Sequence, residues 1–207
     1  MKIAVIGAGN VGKALGKAWA RRGHDVTYGV RQPGDARYQG LKIAGIAEAA
    51  RAAEALLLAT PWDATEAALN AAGDLTGKLL LDATNPLAIG PHGMGLAVGH
   101  TTSGGELVAA WAKNAAVFKT LNTTGFGNME NSGGYAQKPV MCFAGDDSAK
   151  RATVAALLAD LGFEPVDAGP LVTARLLEPY AMLWIDLAVK RGQGRDIAFA
   201  LMRRGGP

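Results

Sequence analysis

One hexapeptide constrains this chain more than any other feature. Gly7-Ala-Gly-Asn-Val-Gly12 follows the apolar run Lys2-Ile-Ala-Val-Ile6 and opens a segment to Arg22 with apolar residues at Val11, Leu15, Ala18 and Trp19. The run reads as a buried strand and the spacing as a helix, so the glycines occupy a strand-to-helix turn. There each has its own task. Gly7 permits the tight turn, Gly9 lets the backbone approach a pyrophosphate, and Gly12 lets the helix close on the strand. The N–H groups of Asn10 and Val11 then face an anion with the positive end of the helix dipole behind them. A tight turn that holds no ligand is the alternative; the hexapeptide alone does not separate the two, and its setting favours the phosphate.

The rest of the chain repeats the strand–helix alternation. Asp25 to Val30, Leu41 to Ile46, Ala55 to Ala59 and Lys78 to Asp82 read as strands, with helices over Ala47–Ala53 and Asp63–Ala72 between them. Asp63 and Glu66, and again Ser103 and Glu106, have capping-box spacing. Further strands are expected over Ala116–Leu121, Pro139–Ala144 and Phe163–Asp167, with a helix over Asp147–Leu161. This order predicts an α/β fold, a doubly wound parallel Rossmann sheet, over residues 1–169. Residues 86–102 lack periodicity and read as an irregular loop; residues 125–138 read as an excursion from the sheet domain. From Pro170 the pattern is helical throughout, a small C-terminal helical region (170–207) whose apolar face of Leu176, Tyr180, Leu183, Trp184 and Leu187 predicts a homodimer contact.

Glycine, at 28 of 207 residues, stands near twice its usual share of about 7% and shows no collagen-like period. With 49% hydrophobic and 19% charged residues, neither a fibrous nor a disordered chain fits. A formal charge of +3, with the basic residues scattered, argues against a nucleic-acid partner. No apolar stretch is long enough to span a membrane, and one cysteine, Cys142, gives no disulfide or zinc spacing, so a cytoplasmic location without a bound metal is expected.

The second strand bears on which dinucleotide is held. Sites for NAD place Asp or Glu about 20 residues past the motif to accept the ribose hydroxyls. Here the strand ends Tyr28-Gly29-Val30-Arg31, and Arg31 stands 24 positions after Gly7, where a guanidinium can grip a 2′-phosphate. This favours NADP(H); a solvated surface arginine is the alternative. Thr60-Pro61-Trp62, Asn85-Pro86-Leu87 and Asn122-Thr123-Thr124 each close a strand with turn formers or small polar residues. Any one of them is ordinary turn chemistry, but their recurrence at successive carboxyl ends predicts a lined groove. His24 reads as solvated, Cys142 as core, and Ser103 as a helix cap. Of the remaining histidines, His92 and His100 lie in the irregular loop, and His92 is carried forward as a substrate-side candidate with Phe126 and Met129. No catalytic side chain is assigned, which suits hydride transfer, where the cofactor carries the chemistry.

Four segments together resemble the F420-dependent NADP oxidoreductase family: Gly7–Gly12, Leu81-Asp-Ala-Thr-Asn-Pro-Leu87, Lys119-Thr-Leu-Asn-Thr-Thr-Gly125 and Leu161-Gly-Phe-Glu-Pro-Val-Asp-Ala-Gly-Pro-Leu171. The resemblance spans nearly the whole chain. It implies an NADP-binding Rossmann domain with a small helical domain, often paired into dimers, and hydride exchange between NADPH and a deazaflavin (F420) or flavin-like acceptor. By position it places Asn10, Val30 and Arg31 around the 2′-phosphate, and Thr60, Pro61, Asn85 and Asn122 along the cofactor toward its nicotinamide. Two other readings stand beside it: a non-catalytic NADPH-binding sensor, and a short imine or β-hydroxyacid reductase.

Overall fold

The computed structural model describes residues 1–91 and 93–205. Eight strands form one sheet: β1 (Lys2–Ile6), β2 (Asp25–Val30), β3 (Ile43–Gly45), β4 (Ala55–Leu58), β5 (Leu79–Asp82), β8 (Ala116–Lys119), β9 (Val140–Gly145) and β10 (Glu164–Asp167); between β5 and β8 in the chain come β6 (Leu87–Gly90) and β7 (Gly93–Leu96), which pair with each other as a separate antiparallel hairpin. The order across the sheet is β10-β9-β8-β5-β4-β1-β2-β3. The chain therefore winds one way from β1 to β3, then crosses back over β1 to continue in the other direction. The switch point lies between β1 and β4, where open α/β sheets place their ligands.

Alternation along the strands sorts the core into two layers. Ile3, Val5, Leu57, Leu79 and Leu81 face α1 (Asn10–Arg21) and α6 (Arg151–Asp160). Ala4, Ile6, Leu56, Leu58 and Leu80 face α2 (Ile46–Ala52), α3 (Thr65–Ala72) and α4 (Gly104–Trp111). Burial on both faces explains why β4 and β5 read as unbroken apolar runs.

The sheet is mostly parallel, with one pairing that departs from expectation. β9 runs antiparallel to β8 through Phe118↔Gly145 and Lys119↔Ala144. A parallel partner needs a crossover across the sheet face. The connection over residues 120–139 holds instead a five-residue helix, α5 (Phe126–Glu130), which packs on α1. Beyond it β9, α6 and β10 make an ordinary parallel βαβ unit.

Helical structure after Pro170 also ends earlier than expected. A 3-10 turn at Leu171–Thr173 leads into α7 (Ala174–Ile185), which closes with a π turn at Asp186–Lys190. The chain then returns to the sheet without regular structure: the Val140 N–H donates to the Phe199 carbonyl at 2.9 Å, Trp184 Nε1 donates to the Ile197 carbonyl at 2.8 Å, and the Tyr180 and Phe199 rings stack at 4.5 Å. The apolar face of α7 is divided by this return. Trp184 and Tyr180 are packed within the chain, while Leu176 and Leu183 remain 69% and 50% exposed.

Three local readings change. Asp63 lies inside a 3-10 turn (Trp62–Ala64) that precedes α3, whose N-cap, Ala64, makes no side-chain bond. His24 is largely covered, its Nε2 3.0 Å from Asp160 Oδ2. The hairpin occupies much of the stretch that reads as an irregular loop. Ser103 is a cap as expected: its Oγ accepts from the Glu106 N–H at 3.1 Å and donates to Glu106 Oε2 at 2.7 Å.

Candidate functional site

The turn between β1 and α1 is built by contact. Gly7 has φ +104°, and a Cβ on it would stand 2.6 Å from the Ala59 carbonyl oxygen of the neighbouring strand end. At Gly12 a Cβ would fall 2.0 Å from the Gly7 carbonyl oxygen. Gly9 differs from both: its backbone is extended (φ −79°), and a Cβ there would meet nothing within 4 Å. Space is left above the helix start. Gly9 is the N-cap of α1, gives no side-chain cap, and no acidic residue stands in the first turn. The first intrahelical bond recorded at this end runs from the Lys13 N–H to the Gly9 carbonyl, so the donors of Asn10, Val11 and Gly12 precede it and point outward. Uncapped donors with a favourable dipole and no competing carboxylate are able to seat an anion.

From there a groove of about 510 Å³ runs along the strand ends, lined by Val11, Thr60, Pro61, Trp62, Thr84, Asn85 and Leu87 among others. Thr60 Oγ1 lies 3.0 Å from Thr65 Oγ1, which donates to the Pro61 carbonyl at 3.0 Å, holding this turn open at the groove. Trp62 packs against Trp111 with ring centroids 5.4 Å apart. On the other side of β1, Val30 is buried at the end of β2 and Arg31 is exposed beyond it. Among the described residues no ion pair or hydrogen bond engages the Arg31 side chain. Arg37 nearby is paired with Asp35 at 2.9 Å and lies 4.9 Å from the Tyr38 ring centroid.

Asn85 lines this groove and meets Asn122, which is buried behind it and outside the lining. Asn85 Nδ2 donates to the Asn122 carbonyl at 2.9 Å, and Asn122 Nδ2 donates to Asn85 Oδ1 at 3.1 Å and to the Leu177 carbonyl at 3.2 Å. Because its amide nitrogen faces two acceptors, the orientation of Asn122 is fixed, and this leaves its Oδ1 buried with no hydrogen-bond partner. An orphaned buried acceptor costs about 1–3 kcal/mol. Leu121, just before it, holds a left-handed backbone (φ 58°) although it is fully buried, a second cost at the same turn.

Several residues singled out by sequence are not brought to the groove. Pro86 is buried, close against the start of α4. Thr123 is buried with its hydroxyl 3.6 Å from Met141 Sδ. Met129 is 2% exposed in the core with α1 and α6, so it takes no place on a substrate side, whereas Phe126 is 37% exposed. His100 has a left-handed backbone and lines a different hollow beside α7. His92 lies outside the described residues.

Beneath the asparagines is a cluster that sequence reasoning missed. Lys119 Nζ, fully buried, stands 3.0 Å from Asp82 Oδ2 and 3.1 Å from Glu178 Oε1, and donates to the Thr84 carbonyl at 2.6 Å. Asp82 and Lys119 are register partners in adjacent parallel strands. The available signal was a charged residue at the end of each of two apolar strands. Among the described residues no three His, Cys, Asp or Glu side chains are grouped as a metal site would require, and no helix is long and apolar enough to cross a membrane.

Residues 2–86 match the family described as NADP oxidoreductase, coenzyme F420-dependent. Among solved structures the chain is similar to a protein from Arthrobacter sp. FB24 provisionally assigned as an F420-dependent NADP reductase, with 36% identity and TM-score 0.89 over 98% of this chain and 100% of that one. A hypothetical protein from Sinorhizobium meliloti is 24% identical, with TM-score 0.73 over 86% and 90%. An imine reductase from Aspergillus terreus, solved with NADPH4 and a dibenzazepine, is 22% identical with TM-score 0.67; 92% of this chain covers 63% of that longer one. The last two likenesses concern the fold.

Proposed function

The chain belongs to the family of coenzyme F420-dependent NADP oxidoreductases, and from that premise we propose that it exchanges hydride between NADP(H) and a deazaflavin or flavin-like acceptor. As a member it is an NADP-dependent oxidoreductase; the acceptor is the proposal. The observation that carries the reading is the uncapped, acid-free start of α1 opening onto free space at Gly9.

The residues fit a dinucleotide along their whole run. The N–H groups of Asn10, Val11 and Gly12 would hold the pyrophosphate, with Gly7 and Gly12 shaping the turn. Arg31 would take the 2′-phosphate as a charge-assisted fork, next to Val30. Thr60, Pro61 and Trp62 would line the ribose side. Asn85 would meet the carboxamide at the groove, and behind it Asn122 Oδ1 lacks a donor that a carboxamide N–H₂ would supply once it displaces the cover over that atom. Pro86 and Thr123 would serve from behind, by fixing the turns that carry the asparagines. When bound, the nicotinamide supplies the hydride, and the chain's part is to seat and align it. The exposed Leu176 and Leu183 would meet a second copy of the chain in a homodimer, and we place the protein in the cytoplasm.

The experiment is an NADPH oxidation panel with F420, FMN, FAD, a cyclic imine and a keto acid, run on the wild type and on Arg31→Ala. Turnover with F420 or a flavin is expected, and Arg31→Ala is expected to weaken NADPH far more than NADH. Turnover confined to the imine or keto acid would move the chain to the imine or β-hydroxyacid reductases. Tight NADPH binding with no turnover across the panel would make it a sensor.

A further inference from the structure

We propose that Lys119, Asp82 and Glu178 act together as positioning residues for Asn85 and Asn122, so that a fully buried charge cluster fixes where the carboxamide end of a dinucleotide is held. The inference rests on the dinucleotide reading above and names residues outside the groove that set its geometry.

The cluster is connected to both asparagines by short covalent and hydrogen-bonded paths. On one side, Asp82 Oδ1 accepts from the Thr84 N–H at 2.9 Å and the Thr84 hydroxyl at 2.7 Å, while Lys119 Nζ holds the Thr84 carbonyl. Thr84 thus has its N–H, hydroxyl and carbonyl all engaged, and the next residue is Asn85. On the other side, Glu178 anchors α7: its two carboxylate oxygens accept from the Gly104 and Gly105 N–H groups, each at 2.9 Å, at the start of α4. The residue before Glu178 is Leu177, whose carbonyl receives Asn122 Nδ2. Moving α7 therefore moves the acceptor that orients Asn122, and moving Thr84 moves Asn85.

Stability alone gives a weak reason for such a cluster. Three charges with side chains at most 1% exposed carry a heavy desolvation cost, and apolar replacements of like volume are often as stable. What an apolar trio would lack is direction. The donors and acceptors here engage Thr84 at three atoms and tie the helix that carries Leu177 to the start of α4, and Asn122 Oδ1 stays without a partner at the end of the network. A site that keeps an unpaired acceptor in place needs surroundings that prevent it from turning away.

The test compares two probes that overlap in part. Adenosine 2′,5′-bisphosphate reaches the 2′-phosphate and adenosine end; NADPH also reaches the asparagines. Both are titrated by calorimetry against the wild type, Glu178→Gln and Glu178→Asp. Glu178→Gln is expected to weaken NADPH about tenfold, the worth of one to two hydrogen bonds, and to leave the bisphosphate within about twofold. Glu178→Asp, which keeps the charge, is expected to fall between and carries the test if the glutamine variant does not fold. Parallel losses for the two probes, or no loss for either, would overturn the positioning role and leave the cluster a fastening for α7. A wild type that binds neither probe would overturn the dinucleotide reading as well, and that outcome is distinct because it needs no variant.

Discussion

Gly12 lies so near the Gly7 carbonyl that a methyl group on it would stand 2.0 Å from that oxygen, and 3.0 Å from Val5 Cγ1. Neither neighbour is the free end of a flexible side chain. Gly12→Ala is therefore expected to destabilise the fold by about 1–3 kcal/mol, seen as a lower denaturation midpoint. Gly9→Ala is the informative contrast. Its added methyl meets nothing within 4 Å, so stability should stay within about 0.5 kcal/mol of the wild type. Binding should not: the methyl enters the space assigned to the pyrophosphate, and NADPH affinity is expected to fall about tenfold or more. A stable Gly9→Ala protein with unchanged NADPH affinity would remove the phosphate from this turn.

Removing the buried ammonium is expected to be severe. Lys119→Met leaves Asp82 and Glu178 facing each other without their shared cation, and losing one partner of such a group costs about 3–5 kcal/mol. Urea denaturation of the variant should show a midpoint far below that of the wild type, or no folded baseline. A loss under 1 kcal/mol would mean that water or a rearranged carboxylate compensates.

Acid should loosen the contact between α4 and α7. Arg175 bonds both oxygens of Glu106, at 2.8 and 2.6 Å, and with Ser103 it holds that carboxyl below its ordinary value of 4.5 against the opposing effect of burial. A carboxyl depressed in the folded state adds stability above its unfolded value and loses it as pH falls through the folded one. Melting temperature should thus decline below about pH 4.5, and Arg175→Met should flatten that part of the curve. An identical acid slope in the variant would count against the pair.

Alkali acts on the return of the tail. Burial, and then Cys142 nearby, push the Tyr180 phenol from 10.0 up to about 12, and burial raises the Cys142 thiol too. An acid whose value is raised on folding contributes stability that is complete below the unfolded value and disappears as pH rises through the folded one. Stability should fall between about pH 10 and 12, less so in Tyr180→Phe. Titration of phenolate absorbance should show an ionisation near the top of that range that disappears in Tyr180→Phe.

The parts of the fold that follow from one-dimensional pattern were legible. Alternation and glycine spacing located β1, α1 and the strand ends, since burial on both faces of a parallel sheet writes itself as apolar runs. The antiparallel β9 was hidden because direction depends on how the intervening chain packs, here α5 on α1, and a five-residue helix carries little periodicity. The hairpin of β6 and β7 was hidden because its exposed residues, Ile89 among them, do not alternate with burial. In the site, Asn85 and Asn122 were legible as strand-end residues. Lys119 and Glu178 were not, because their partnership joins positions that only the tertiary fold brings together.

The tail that comes back to the sheet sets an order of events during synthesis. Asn128 Nδ2 donates to the Ile197 carbonyl at 2.8 Å across 69 residues of sequence, and the first N–H of β9 donates to Phe199. The pairings of β1 to β5 within the sheet are all completed within the first 119 residues. The region around Asn128 and the start of β9 is completed only once residues 197 to 199 have been made, because loops this long close late and close only once their far ends exist.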